Sequence, residues 1–365
     1  MTLSLYIARR FVSMFLRVLG IFFGVMMLID VIDQLRWLPE GGGSVGTALR
    51  LSALNVPANL YEILPLIVVL SAIALFVGLA RSSELVVVRA AGRSGLRFLV
   101  APVLTAVLCG ALAVAVLNPL VAATSRLYDD AQAEIARGGA SVLSLSDSGL
   151  WLRQGTAEGQ TVIQATRSNQ DGTELYGATF MLFDGNGLPS ARIEAEVARL
   201  EPGAWVLDGA KQWDLATENP EQVALSGQSG LRLPSDLTAE GIRDTFGTPS
   251  AIPFWELPAY IDGLKRAGFS ARSHEVWFNM ELAQPMLLAA MVLVAAGFTM
   301  RHARFGRTGM LVLFAVLSGF AIFFLRNFAQ VLGENGQIPV ALAAWTPPLV
   351  AGMMALGLLL HLEDG

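Results

Sequence analysis

The stretch most informative for chemistry is Arg81-Ser-Ser-Glu-Leu-Val-Val-Val-Arg-Ala-Ala-Gly92. Ser82 or Ser83 is of the type that caps a helix, Glu84 then falls in the first turn, and Gly92 is suited to end it. The spacing predicts a short helix over 82–92 with Leu85, Val86 and Val88 on an apolar surface and Glu84 and Arg89 on the polar side. Two readings stand side by side: a knob offered to a separate motor subunit, or an interfacial helix resting on lipid headgroups. A second set of groups is ionisable and borders long apolar runs: Asp30, Asp33 and Arg36, then Glu62, Glu281 and Arg326. Charges at membrane depth are costly and face a protein interior or a wet cavity. Arg36, Arg50, Arg126 and Arg326 fall on one side of the membrane in the topology derived below. Guanidinium groups pair phosphate in bidentate fashion, so a cavity they lined would suit an anionic amphiphile. Each arginine taken alone reads more readily as a salt bridge or a side chain reaching the interface than as a ligand contact.

Other chemistry is excluded by what is missing. A phosphate loop needs Gly-Lys-Ser/Thr, and the chain's two lysines, Lys211 and Lys265, precede Gln212 and Arg266. ATP hydrolysis is therefore not expected of this polypeptide. His274, His302 and His361 are scattered, with no HExxH or Cys/His cluster, so no metal or other cofactor is expected. No Gly-x-Ser-x-Gly elbow occurs, and Ser82, Ser83 and Ser94 sit in a basic link without a plausible His or Lys, which leaves a membrane hydrolase without a catalytic set.

The elements that would position these groups follow from the distribution of apolar residues. The chain is 54% hydrophobic and 15% charged, with mean hydropathy +0.55, far from globular averages. About 20 apolar residues cross a bilayer core of roughly 30 Å. Six stretches qualify: Phe11–Ile32, Val56–Ala80, Leu96–Leu117, Val276–Met300, Thr308–Gln330 and Val340–His361. The first is too long for a signal-peptide core and lacks a small-residue cleavage site after it. Residues Leu3–Arg10 read as a short amphipathic lead-in. Arginines set the orientation. Arg9, Arg10 and Arg17 flank the first span, Arg81, Arg89, Arg93 and Arg97 crowd the second link, and Arg301, Arg304 and Arg307 fill the fourth. Both termini are thus expected in the cytoplasm and the long insert on the other side. Pro57, Pro65, Pro285, Pro347 and Pro348 are expected to loosen or kink their spans.

Between the third and fourth spans the composition changes. From Arg126 to Arg266 there are 11 Lys+Arg against 20 Asp+Glu, whereas the remainder carries 14 against 10. Alternating segments at 161–165, 178–183 and 205–207 lie between turn formers at Asp171-Gly, Asp184-Gly-Asn-Gly and Glu201-Pro-Gly. That spacing predicts an antiparallel sandwich or jelly roll, which by itself declares no ligand. A helix is expected over Pro253–Ala267, leading back to the membrane. The single cysteine, Cys109, lies in an apolar run and precludes an internal disulfide.

These pieces resemble the LptF/LptG family of lipopolysaccharide export permeases. The resemblance rests on Asp33-Gln-Leu35, Leu64-Pro65, Arg81-Ser-Ser-Glu-Leu-Val-Val-Val88 with Ala91-Gly92, Gly149-Leu-Trp151 and Gln284-Pro285, and it covers the whole chain. Asp33-Gln-Leu35 and Gly149-Leu-Trp151 are most similar to the LptG branch. It implies an inner-membrane protein of three plus three helices with a periplasmic β-jelly-roll insert. The implied division is 1–134 with a cytoplasmic coupling helix at 82–92, 135–252 as the β-domain, and 253–365 as a connecting helix and the last three spans. It implies pairing with an LptF-type permease, two LptB-type ATPase subunits on the cytoplasmic side, and transfer of lipopolysaccharide to LptC- and LptA-type jelly-roll proteins. Glu84, Leu85, Val88 and Arg89 would then meet the ATPase, and Arg36, Arg50, Arg126 and Arg326 are the candidate ligand contacts. The chain departs from the family in having Asp30 near the end of span one and Trp37 after Arg36, where lysines are the pattern. A non-transporting scaffold that holds an envelope complex through its β-domain is the competing reading.

Overall fold

A computed structural model describes residues 2–37, 44–84, 94–136, 143–146, 149–156, 159–169, 172–184, 188–215, 217, 219–222, 224–235, 237–238, 248–266, 269–300 and 308–363. Six helices among them are long and apolar enough to cross a membrane: Leu3–Arg36, Leu64–Arg81, Gly95–Asp129, Arg272–Thr299, Gly309–Glu334 and Val340–His361. The β-region sits between the third and the fourth, as the composition shift requires. The chain divides into a helical unit (Met1–Ala131, Pro253–Trp255, Glu275–Gly365) and a β unit (Gln132–Ile252, Glu256–His274).

In the helical unit, α1 (Thr2–Trp37) is one continuous helix. The lead-in at Leu3–Arg10 is simply its first turns, because no proline or adjacent glycine pair interrupts the 3.6-residue ladder there. The second apolar run is split. α2 (Val45–Glu62) is capped by the Ser44 side chain and carries Pro57 inside it. At Ile63 the ladder stops, and α3 (Leu64–Arg81) restarts with a proline in its first turn. Pro65 has no N–H to give, so the first turn of a new helix is where it costs least. α4 (Gly95–Leu112) begins at a Ser94 cap and passes through a π-turn at Ala113–Leu117 into α5 (Asn118–Ala136). Three helices complete the unit's spans: α7 (Arg272–Thr299), α8 (Thr308–Glu334) and α9 (Val340–Glu363), with Pro285, Pro347 and Pro348 carried inside continuous helices.

The most apolar windows of α3 and α7 are 67% buried, whereas that of α1 is 0% buried. The centre is therefore built by α3 and α7, with Val68, Phe76, Leu288 and Val292 fully buried beside Phe11 of α1. Close approach is allowed by Gly110, where a Cβ would lie 2.6 Å from Pro285 Cα. α1 and α2 run antiparallel: Phe15, Phe22 and Met26 of α1 join Leu60 and Val56 of α2, with Ile67 of α3, in one hydrophobic cluster.

The β unit is an antiparallel meander in the order β1-β2-β3-β4-β5-β6-β9, with β7 and β8 alongside. The strands are β1 (Leu143–Ser146), β2 (Gly149–Thr156), β3 (Gly159–Ser168), β4 (Glu174–Asp184), β5 (Pro189–Glu201), β6 (Ala204–Asp208), β7 (Ala210–Asp214), β8 (Leu225–Gln228) and β9 (Leu231–Pro234). β6 and β7 lie end to end along one edge of β5 without a change of register. Gly209, at φ +65°, makes the kink between them. Side chains on one pleat face align across strands: Leu152 opposite Ile163, Ile163 opposite Phe180, Phe180 opposite Ile193. All four are buried, and Trp205 meets Phe180 edge-on at 6.1 Å. The sheet is rolled, since Ser235 Oγ after β9 donates to Gln154 Oε1 on β2 at 2.8 Å. The helix α6 (Leu257–Arg266) turns Leu257, Ile261 and Leu264 inward, the 3.6-period face expected of 253–267.

Candidate functional site

Two polar constellations stand out in the helical unit. The first is at the start of the 82–92 link. α3 ends at Ser82, and Ser83 adopts φ +60°, a left-handed conformation uncommon for a residue with a Cβ. The reversal brings Glu84 onto the first turns of α1. Arg10 Nη1 donates to Glu84 Oε1 at 2.6 Å and to Oε2 at 2.8 Å. Ser82 Oγ donates to Oε1 at 2.7 Å, and Tyr6 Oη donates to Oε2 at 3.2 Å. Tyr6 Oη itself accepts from Arg10 Nη1 at 2.7 Å. The bond from Arg10 holds the Glu84 carboxyl below the usual carboxylate range. Leu85, Val88 and Arg89, the other candidate docking residues, lie outside the described residues, as does Gly92.

The second constellation is buried where four helices meet. Tyr61 donates its hydroxyl to Glu281 Oε2, across 220 residues of sequence. Glu281 is 1% exposed and Arg326 7% exposed, and the guanidinium is within electrostatic reach of Glu281, Tyr61 and Glu62. Asn118, 1% exposed, reaches toward both Tyr61 and Glu281. Each contributor from α2, α5 and α7 sits beside an irregularity of its own span. Tyr61 precedes the break at Ile63, Asn118 follows the π-turn, and Glu281 lies one turn before Pro285. The return segment Pro253–Trp255 fastens to the same place. Phe254 N–H donates to Asn118 Oδ1 at 2.8 Å, and the Trp255 indole N–H donates to the Ala115 carbonyl at 3.2 Å, within the π-turn. A π-turn displaces the regular i−4 pairing, which leaves carbonyls open to such an outside donor.

The four candidate ligand arginines divide. Arg326 is buried within electrostatic reach of Glu281, whereas Arg36, Arg50 and Arg126 are exposed on α1, α2 and α5. Asn55 Nδ2 donates to Asp30 Oδ1 at 2.7 Å, which fixes the register of the antiparallel α1 and α2. With a rise of about 1.5 Å per residue, Arg50 then lies level with Arg36 along the helices to within about 2 Å. Gln34 Nε2 donates to Tyr128 Oη at 2.9 Å and ties the end of α1 to α5, two residues beyond Arg126. Asp30 is thus occupied by Asn55 through one oxygen.

Tyr61, Asn118 and Tyr6 are not singled out by the sequence, and Asn55 stands out there only as part of Asn55-Val-Pro57 at the start of the second span. Neutral side chains carry no signature of membrane depth, and their partners lie far away along the chain. Glu62 was singled out, but it is exposed, and its neighbour Tyr61 is the residue that turns inward.

Among the described residues no cluster of three or more His, Cys, Asp or Glu could hold a metal ion. The fold and these sites define a polytopic membrane protein of three plus three helices with a β-domain inserted midway. The chain belongs to the LptF/LptG family, described as "Lipopolysaccharide export system permease LptF/LptG", which matches residues 5–361. The Escherichia coli K12 protein named lipopolysaccharide export system permease protein LptG is 24% identical over 354 residues, 96% of this chain and 94% of the relative. The Haemophilus influenzae protein of the same name is 23% identical over 368 residues, 100% of this chain and 99% of the relative. Both similarities carry the LptG name, in line with Asp33-Gln-Leu35 and Gly149-Leu-Trp151.

Proposed function

We propose that this chain is the LptG-type permease subunit of an ATP-driven exporter that extracts lipopolysaccharide from the inner membrane. The observation that carries this reading is the family match over 5–361, joined to six apolar helices with a rolled antiparallel sheet between the third and fourth. In this reading both termini are cytoplasmic and the β-domain, 135–252, is a periplasmic jelly roll. It receives the lipid from the helical parts, 1–134 and 253–365, and passes it to LptC- and LptA-type jelly-roll proteins. An LptF-type permease is the second membrane subunit. The long apolar faces left open on α1 (Leu16, Ile21, Leu28) and α8 (Phe324, Phe328) support a partner inside the membrane.

The energy comes from elsewhere, because the chain carries no phosphate loop. It enters at the link 82–92, where Glu84, Leu85, Val88 and Arg89 form the segment that docks an LptB-type ATPase dimer. At the other end of the bundle, Arg36 and Arg50 at one level and Arg126 nearby are the basic groups for the ligand's phosphates. Arg326 joins them only by exchanging Glu281 for a phosphate, which links ligand capture to loosening of the Tyr61–Glu281 seam.

Purification of the tagged chain in mild detergent tests the assignment. Recovery of a second six-span permease and an ATPase of the LptB type is the expected result. Recovery of the chain alone, under conditions that keep it folded, would contradict it.

A further inference from the structure

The Glu84 carboxylate is engaged by three side chains of its own chain. Arg10 Nη1 shares its two hydrogens among Glu84 Oε1, Glu84 Oε2 and Tyr6 Oη, while Ser82 donates to Oε1 and Tyr6 to Oε2. Arg10 and Tyr6, one turn apart on α1, bond to each other as well. Arg10, Tyr6 and Glu84 form a closed ring in which each is held by the other two, Ser82 bonds Glu84 from beside it, and the left-handed Ser83 lies between these two. A cation arriving from another subunit meets a carboxylate already engaged within the chain. The pair is partly open to water, at 28% and 35% exposure, so an isolated ion pair here would contribute little; the ring geometry supplies the specificity.

What the ring joins gives it a use. On one side is the start of the link, and on the other is α1, unbroken from Thr2 to Trp37. Arg10 and Arg36 lie on that single helix about 39 Å apart by its rise. Displacement of Glu84 is therefore delivered to α1 directly, and α1 carries it to the level of Arg36 and Arg50.

We propose that Arg10 and Tyr6 are positioning residues for ATPase coupling. They fasten Glu84 to the first span, so that the link and α1 move as one body. This rests on the reading of 82–92 as the ATPase-docking link. Glu84 then acts on docking and turnover through its partners within this chain.

The test is a charge exchange in the assembled complex of this chain with its ATPase and second permease. Arg10→Glu and Glu84→Arg singly are expected to lower lipid-stimulated ATP turnover about fivefold or more, with the chain still folded and inserted. The double variant Arg10→Glu/Glu84→Arg is expected to restore turnover to within about twofold of the parent, and Arg10→Lys to retain most of it. A double variant as impaired as Glu84→Arg alone would overturn the proposal, because a carboxylate needed by the ATPase itself cannot be rescued from within the chain. So would an Arg10→Glu variant with normal turnover. Failure of the docking reading is separately visible: the unaltered chain would then bring down no ATPase at all.

Discussion

Removing one oxygen at Tyr61 tests whether the buried seam holds the bundle together. Tyr61→Phe keeps the ring and its packing and deletes the O–H that Glu281 Oε2 receives. Glu281 is 1% exposed, and its Oε1 already has no hydrogen-bond partner among the described residues. A hydrogen bond to a charged group is worth about 1.5–3 kcal/mol, and water cannot replace it at this depth. Tyr61→Phe should therefore lower unfolding free energy by about 1.5–3 kcal/mol. Arg326→Ala, which removes a buried positive charge within electrostatic reach of Glu281, should destabilise as well. The assay is reversible unfolding in mixed micelles by titration with dodecyl sulfate, followed by tryptophan fluorescence. Repeating Tyr61→Phe in a Glu281→Leu background should cost under about 1 kcal/mol, because the bond is already gone. A Tyr61→Phe effect within about 0.5 kcal/mol of zero would refute the reasoning. An equal cost in both backgrounds would show that the phenol matters for some reason other than Glu281.

Three further outcomes are expected. Gly110→Ala places a methyl 2.6 Å from Pro285 Cα and 3.3 Å from Leu288 Cδ1, and should destabilise by about 1–3 kcal/mol; Gly78→Ala, with nothing within 4 Å, should be neutral or stabilising in the same titration. The Glu84 carboxyl is held below its ordinary range by Arg10, so its contribution is full above the ordinary carboxylate pKa and is lost as pH falls through the lowered value. The melting gap between the parent and Glu84→Gln should accordingly be present at neutral pH and close on acidification, and a gap that widens would contradict the pairing. Joint replacement of Arg36, Arg50 and Arg126 by alanine should weaken lipopolysaccharide binding by about tenfold or more while leaving ATPase recovery unchanged; unaltered binding would favour the scaffold reading.

The membrane spans were legible because burial in lipid demands long apolar runs, and nothing else in the chain resembles them. The strands were legible from alternation, and segments 161–165, 178–183 and 205–207 fall in β3, β4 and β6. The break at Ile63 was half legible: Pro65 announced an interruption, but Pro57, Pro285, Pro347 and Pro348 announce the same and stay inside helices. A proline says which N–H is missing, while its neighbours decide whether the helix stops. The π-turn was not legible, since Ala-Val-Ala-Val-Leu at 113–117 contains no breaker; what marks it is a tryptophan 140 residues away donating into it. Glu281 and Arg326 were found as costly charges, whereas Tyr61 and Asn118 became visible only when the fold brought them there. Glu84 was found by its place in a capped link. Its contacts with Arg10, Tyr6 and Ser82 follow a left-handed Ser83 that no helix-capping rule predicts.

The central claim is that this chain moves lipopolysaccharide with another subunit's ATP. Its most direct test is reconstitution with an LptF-type permease and an LptB-type ATPase in liposomes loaded with lipopolysaccharide, with a photo-cross-linkable LptA-type acceptor outside. The account predicts ATP-dependent appearance of lipid on the acceptor, abolished when this chain is omitted. Lipid transfer that proceeds equally without this chain, or without ATP, would contradict it.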